Sequence, residues 1–411
     1  MIFLGDRVIL HCDCNSFFAS VEMALHPEYK TVPMAVCGSV EDRRGIVLAK
    51  NELAKKYNIQ TAETVFSAKK KCPDLVIAEP HHKLYSEFSK RVNDIYKRYT
   101  DMVEPFGIDE SWLDVTGSQK IFGNGEKIAK SISDDVKREI GITISVGVSF
   151  NKVFAKLGSD YKKPDAITVI NRENFKRIVY PLPVGDLLFV GKKTAAQLLK
   201  MGIRTIGDLA ESSLEILSSR LGKNGEQLYR YAIGEDDSAV SPNARDDSKS
   251  ISNGITFRRN LLTFDEYRIG IEFLSEEIGT KLRAKGLKAS TVQVTVKDEY
   301  LRSIQRQQPQ LPPSDIGAEI AKTAMNILKS EWKSGKPVRM LTVAAANLIK
   351  TEMLSVQLAL FDADDDPKRE KSRNTEKTID KIRQKYGEDA IIKGAALNTD
   401  IGIYVAPKKN N

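Results

Sequence analysis

Asp109 and Glu110 stand side by side in Phe106-Gly107-Ile108-Asp109-Glu110-Ser111-Trp112-Leu113-Asp114-Val115, flanked by residues that favour strands. Adjacent carboxylates in an apolar setting are costly unless a cation binds them, and their hard oxygens suit a divalent metal. A third acid, Asp13, ends the apolar run Val8-Ile9-Leu10-His11-Cys12-Asp13 and leads into Asn15-Ser16-Phe17-Phe18-Ala19-Ser20-Val21-Glu22. Asn15 or Ser16 can cap the helix that follows, and an acid at a strand end facing a helix N-terminus suits a metal and a phosphate together. The competing readings are a solvated acidic turn and a plain strand-to-helix turn. His11 reads as a packed core histidine.

The elements that must position these acids follow from the pattern. Val103 to Ile108 and Ser111 to Val115 read as two strands, with Asp109-Glu110 at the turn where the backbone bends enough to aim both side chains at one site. Residues 33 to 37 and Asp74 to Glu79 read as further strands. Asn51 to Tyr57, Phe66 to Lys71, Leu84 to Tyr99 and Gly125 to Ile140 read as helices, and Thr143 to Ser149 as a strand before Asn151-Lys152-Val153-Phe154-Ala155-Lys156. A sheet with helices on one face, carrying Asp13 and Asp109-Glu110 from separate strands, is the implied architecture.

At 411 residues the chain exceeds one core, and three or four domains are expected. Its hydrophobic fraction of 41% supports packed cores, while no run approaches the roughly eighteen apolar residues of a membrane span. Asp6 and Arg7 interrupt the N-terminal apolar stretch, against a signal peptide, so a cytoplasmic protein is expected. Cys12, Cys14, Cys37 and Cys72 lack metal-ligand spacing and read as reduced thiols. The net charge of +8 is uneven: residues 1 to 165 hold 24 basic against 23 acidic side chains, residues 166 to 350 hold 28 against 21. That split suits chemistry in the first part and a grip on a polyanion in the later part.

Asp13 with Phe17-Phe18-Ala19-Ser20-Val21-Glu22, the Gly107-Ile108-Asp109-Glu110-Ser111 stretch, and Gly147-Val148-Ser149-Phe150-Asn151-Lys152-Val153-Phe154-Ala155-Lys156 together resemble a Y-family translesion DNA polymerase of the bacterial polymerase IV type. The resemblance runs from Val8 to about Ala396. It implies an α+β multidomain right hand: palm 1–15 and 75–165, fingers 16–74, thumb 166–235, linker 236–247, little finger 248–350 and a tail 351–411. It further implies error-prone nucleotide addition opposite damaged or undamaged template, with two Mg2+ ions, for which Mn2+ can substitute, roughly 3.5 to 4 Å apart. Asp13 and Asp109 would bridge both ions, Glu110 would hold the primer-side ion, and the Cys14 carbonyl would complete the nucleotide side. Phe18 matches the steric gate under the sugar. Phe17, Lys55 and Lys163 match nucleotide-binding positions, and Lys152 a DNA contact. Glu52 departs from the pattern, standing where a tyrosine is usual and where a carboxylate would repel phosphate; Lys55 replaces an arginine.

Leu187 to Leu198 is similar to a helix-hairpin-helix, with Gly191, Lys192 and Lys193 presented to a phosphate. From Lys249 to Leu348 the pattern reads β-α-β-β-α-β, the order of the family's little finger, and the resemblance places Arg258, Lys297, Arg302, Arg306 and Arg339 against DNA phosphates. Gln357-Leu358-Ala359-Leu360-Phe361, an apolar run before Asp362 to Asp366, is similar to the peptide that inserts into the bacterial sliding clamp. Primer-template DNA, deoxynucleoside triphosphates and the clamp are the implied partners of a monomer. No exonuclease site is visible, so no proofreading is expected. Two other readings stay open. One is a catalytically silent DNA-binding accessory, for which Glu52 argues; the other is a nucleotide cyclase on a similar sheet, which leaves the later basic modules unexplained.

Overall fold

The computed structural model describes residues 6–242, 249–333, 335–352, 367–387, 390–392, 394 and 399–403. The chain divides into two compact units, residues 1–38 with 46–246, and residues 39–45 with 247–411.

The first unit is organised by a five-stranded sheet in the order β5-β6-β1-β7-β8. Its strands are β1 (Ile9–Cys14), β5 (Val103–Pro105), β6 (Glu110–Asp114), β7 (Ile144–Ser149) and β8 (Ile167–Ile170). β1 runs antiparallel to both β6 and β7, which puts it at the centre. Leu10, Cys12 and Cys14 alternate onto one face, where helices α4 (His82–Tyr96) and α6 (Gly125–Ile140) cover them with Tyr85, Val92, Tyr96, Ile128 and Ile132. α6 starts where Asn124 accepts from the Lys127 amide and stops at Gly141, whose φ of 78° few other residues adopt without strain.

The expectation of helices on one face needs correction. Helix α7 (Lys152–Tyr161) lies on the opposite face, across β1, β7 and β8. It comes so close that a Cβ at Gly147 of β7 would fall 1.9 Å from the Ala155 carbonyl oxygen. That face therefore carries a helix and the acids together.

Other short elements complete the unit. Helix α1 (Phe17–Leu25) follows β1, but neither expected cap operates. Ser16 adopts a left-handed conformation without capping, and the Asn15 side chain turns to Thr143 and Ser145, tying the β1 exit to β7. A three-stranded sheet, β3-β2-β4, is built from β2 (Met34–Cys37), β3 (Val47–Lys50) and β4 (Val76–Ala78), with α2 (Glu52–Lys55) and α3 (Val65–Lys71) beside it. Asn51 and Thr64 cap those two helices. After β8 come the small helices α8 (Phe175–Val179), α9 (Lys192–Lys200), α10 (Ile206–Ala210), α11 (Leu214–Leu221) and α12 (Lys223–Ala232), with a core including Leu198, Ile206, Leu217 and Leu228. The short α5 (Gln119–Phe122) precedes α6.

The second unit is an antiparallel sheet, β11-β10-β12-β9, under two helices, in the expected β-α-β-β-α-β order. Its elements are β9 (Ser250–Leu261), α13 (Phe264–Ala284), β10 (Leu287–Lys297), β11 (Ser303–Ser314), α14 (Gly317–Glu331) and β12 (Val338–Lys350). Ile255, Phe257, Val292, Val294, Val296, Leu341 and Val343 face the helices, and Ser252, Thr256, Gln293, Thr295 and Thr342 alternate onto the other face. β11 runs to Ser314. It is an edge strand, where Pro309, Pro312 and Pro313 can be tolerated.

The tail contributes more than sequence suggested. Helix α15 (Pro367–Tyr386) docks on α13 and α14 through Arg283, buried between Glu376 and Asp380 at 2.5 and 2.6 Å. Glu376 also accepts from the Gly317 and Ala318 amides, capping α14. Ile401 and Ile403 are buried in the same core.

Candidate active site

β1 and β6 bring the acids together. Their register sets Asp13 opposite Glu110 and His11 opposite Trp112, and directly opposed residues share a face. Asp109 occupies the turn ahead of β6, where its carbonyl accepts from the Cys14 amide at 2.9 Å. Gly107 leaves room for this: a Cβ there would lie 3.2 Å from Asp109 Oδ1 and 3.1 Å from Glu110 Cγ.

Two ammonium groups answer the negative charge. Lys156 Nζ, on α7, lies 3.0 Å from Asp13 Oδ2, 2.7 Å from Glu110 Oε2 and 3.3 Å from Asp160 Oδ2. Lys163 Nζ lies 2.7 Å from Asp13 Oδ2 and 2.6 Å from Asp160 Oδ1. Beneath them His11 is fully buried, edge-on to Trp112, with Nδ1 2.8 Å from Ser159 Oγ and Nε2 3.4 Å from Glu110 Oε2.

The electrostatics separate the acids. Burial, with Asp13 and Glu110 adding repulsion, pushes Asp109 up to about 6. Burial acts the same way on Glu110, but His11 and Lys156 outweigh it and hold Glu110 down at about 2. Burial opposes the charge on Lys156 and Lys163, yet Asp13 holds both above the ordinary lysine value. Burial raises the Cys12 and Cys14 thiols, so neither is a nucleophile at neutral pH. Convergent carboxylates with neutralising lysines fit a divalent cation: the donors are hard oxygens, and the charges the lysines balance are those a metal would balance. Cys14, at the end of β1, has its side chain buried and could contribute only its backbone.

Beside this cluster the half-buried Phe18 stacks on Tyr85, with ring centroids 4.2 Å apart and planes 13° from parallel. Phe17 is different. Its side chain is 3% exposed, part of the core beneath the sheet, so a nucleotide could reach its backbone but not its ring. Lys55 Nζ is 2.5 Å from Glu52 Oε1 on the exposed surface of α2.

The expected DNA contacts divide. Gly191 caps α9, and Lys192 and Lys193 are exposed in its first turn. Lys297, opposite Ser303 and Met340, points to the open face of the second unit's sheet. Arg302 is exposed, 3.5 Å from Asp298, and Arg339 is half-buried on β12. Arg258 is 2.5 Å from Asp42. Two assignments need correction. Lys152 is 9% exposed, with Nζ 2.8 Å from Glu104 and 4.3 Å above the Trp112 ring, and is committed to holding α7. Arg306 opposes Val294, which faces the helices, and pairs with Glu331 of α14 at 3.0 Å, so it points away from the open face. Residues 357–361 lie outside the described residues.

Lys156 received no role from sequence, and its signal is its place one turn after Lys152 on the helix that follows β7. Tyr85 as a backing for Phe18 had no sequence signal, since 67 positions separate them and only the fold joins them.

Three family profiles match in chain order: the impB/mucB/samB family over residues 12–160, a DNA polymerase-iota thumb domain over 185–236, and the impB/mucB/samB C-terminal domain over 248–360. The chain is 48% identical over 392 residues to DNA polymerase IV of Acetivibrio thermocellus, covering 95% of this chain and 98% of the relative. It is 36% identical to DNA polymerase IV 2 of Bacillus subtilis, covering 96% and 95%, and 35% identical to DNA polymerase IV of Clostridium kluyveri, covering 95% and 98%. A Y-family DNA polymerase chimera of known structure superposes with a TM-score of 0.73, covering 83% of this chain and 99% of its own; at 24% identity it speaks to the fold.

Proposed function

The chain belongs to the Y family of DNA polymerases, of the bacterial DNA polymerase IV type, and from that premise we infer how its own residues carry out the reaction. It is a template-directed translesion DNA polymerase with the right-hand α+β fold of the family, and it uses a divalent metal. The relatives lend no support to a catalytically silent accessory.

The observation that carries the residue assignment is the convergence of Asp13 and Glu110 on Lys156, with Asp109 beside them. Asp13, Asp109 and Glu110, with the Cys14 carbonyl, would hold two Mg2+ ions, for which Mn2+ could substitute. When bound, the ions supply the charge that stabilises the attacking primer oxygen and the leaving pyrophosphate oxygen. Lys163 moves from Asp13 to the triphosphate, and Lys55 adds a second positive charge; both act as point charges. The Phe17 backbone lies at the α1 start, where free amides suit a phosphate. The Phe18 ring, backed by Tyr85, lies under the sugar and leaves no space for a 2′-hydroxyl.

The palm, fingers, thumb and little finger follow the boundaries given above. DNA is held without sequence preference by the α9 start with Lys192 and Lys193, and by the little finger through Lys297, Arg302, Arg339 and Arg258 once Arg258 leaves Asp42. Residues 357–361 bind the sliding clamp, supported by their apolar run before an acidic stretch. The enzyme acts as a monomer in the cytoplasm without proofreading. Among the described residues no helix is long and apolar enough to cross a membrane.

Primer extension on an undamaged template with Mg2+ tests the reading. The wild type extends and Asp109→Ala does not. A wild type that binds primer-template and never extends it would return the accessory reading.

A further inference from the structure

His11 Nε2 is buried and makes no well-formed hydrogen bond, its one polar contact among the described residues being the long one to Glu110. It points into the acidic site, 3.4 Å from Glu110 Oε2, and the ligand atoms of His11, Asp13 and Glu110 all lie within 4.8 Å of one another. The arrangement follows from β1: His11 and Asp13 are two residues apart and share a face, and Glu110 joins them across the register.

Ser159 serves either tautomer of this ring. Donating to Nδ1, it leaves the proton on Nε2, leaning on Glu110 across a distance too long for a good bond. Donating instead to the Lys156 carbonyl, at 2.8 Å, it accepts from Nδ1–H and leaves a bare Nε2 lone pair facing two carboxylates. A lone pair between carboxylates calls for a cation. A second-sphere partner on Nδ1 is the usual companion of a metal-binding imidazole.

We propose that His11, Asp13 and Glu110 form a second kind of cation site, one nitrogen and two carboxylates, for a borderline transition metal such as Zn2+ or Co2+. Mg2+ has little use for an imidazole, whereas these ions favour it. Lys156 now occupies the place between the carboxylates and has Asp160, 3.3 Å away, to receive it when displaced. An ion held by His11 takes Asp13 and Glu110 away from the polymerisation metals, so this site inhibits nucleotide addition. It goes beyond the proposed function but shares two of its residues.

Metal-free, full-length protein titrated with Zn2+ against a chromophoric chelator, without DNA or nucleotide, tests the site. One ion binds per chain, and His11→Phe, which keeps an aromatic ring against Trp112, weakens binding by at least about tenfold. Equal affinity in the two proteins, both folded by their melting curves, overturns the proposal. The wild type alone gives a second test. On Co2+ loading, proton NMR shows one paramagnetically shifted, exchange-protected imidazole N–H, from Nδ1; no such signal overturns it. If the protein binds Zn2+ through His11 yet never extends a primer, the polymerase assignment falls and this site stands. If it extends primers with Mg2+ while His11→Phe leaves Zn2+ binding unchanged, only this site falls.

Discussion

Lys156 sets its ammonium 2.7 Å from Glu110 Oε2 on the face of the sheet that also carries Asp13. Its positive charge is of the kind a metal would place between these carboxylates. Its side chain is 17% exposed, so screening by solvent is incomplete. Among the described residues, Lys156→Met removes the only ammonium on Glu110 and one of the two on Asp13, leaving Lys163 on Asp13, at a cost of about 2–3 kcal/mol. Thermal melting with and without Mg2+ checks this. The variant melts lower without metal and gains more from Mg2+ than the wild type; equal gains would count against this compensating role.

Phe18 on Tyr85 gives a second expectation. A ring held face to face at 4.2 Å is stiffer than one on an open surface, which a gate requires. Phe18→Ala opens the space for a 2′-hydroxyl and accepts ribonucleotides, while Tyr85→Leu loosens the ring and gives an intermediate defect. Ratios of kcat/KM for deoxy- and ribonucleotides measure both. A Phe18→Ala enzyme that still rejects ribonucleotides would place the gate elsewhere.

Asp109 makes metal binding depend on pH. Its folded value of about 6 exceeds the roughly 4 of an unfolded aspartate, so the folded metal-free chain binds the extra proton. The stabilising contribution is full below about pH 4 and is lost as pH rises through about 6. Mg2+ competes with that proton. Affinity for Mg2+ therefore rises about tenfold per unit up to pH 6 and then levels off. Calorimetric titrations in buffers of different ionisation enthalpy detect about one proton released near pH 5. Asp109→Asn abolishes the slope, and a wild type with flat affinity across this range would contradict the assignment.

How far the sequence could be read depended on the range of each interaction. α6 was legible to the residue, because Asn124 and Gly141 mark its ends locally and its apolar residues recur at helical spacing. The placement of Asp13 at the end of a strand and of Asp109 in the turn before Glu110 was legible because strand ends and turns are local too. The Asn15 cap failed because that side chain was claimed by Thr143 and Ser145, over a hundred residues away. Lys152 was expected as a DNA contact from the resemblance, whereas Glu104 and Trp112 enclose it. Arg306 was misassigned by face, since a strand's register decides which way an arginine points. α15 read in the sequence as a charged helical tail without evident chemistry, and its acids and arginines acquired meaning when Arg283, Glu319 and Asp315 proved to be their partners.

Lys152 yields a prediction that separates stability from binding. Its pair with Glu104 is nearly buried, and Glu104 also accepts from the Ser241 amide. Lys152→Ala leaves a carboxylate without its cation and costs about 2–4 kcal/mol. A true phosphate contact would instead reduce the salt dependence of DNA binding by about one unit in slope. Denaturant unfolding and salt-dependent binding on the same variant decide between the two. A lower midpoint with an unchanged slope is expected.

Glu52 offers the last expectation. It holds Lys55 at 2.5 Å in a pair exposed on both sides, and such pairs contribute little to stability. Its effect on a triphosphate is larger, because it both neutralises the lysine and repels the phosphates. Coulomb's law at the effective dielectric of a protein surface allows about 1 kcal/mol at the longer distances involved. Glu52→Gln keeps the size, frees Lys55 and lowers KM for the incoming nucleotide about three- to fivefold, with kcat little changed, since the interaction is present equally before and during reaction. The melting temperature stays the same. If KM does not move, or if Lys55→Ala has no effect in the Glu52→Gln background, then Lys55 is not a triphosphate ligand and the fingers bind the nucleotide through other groups.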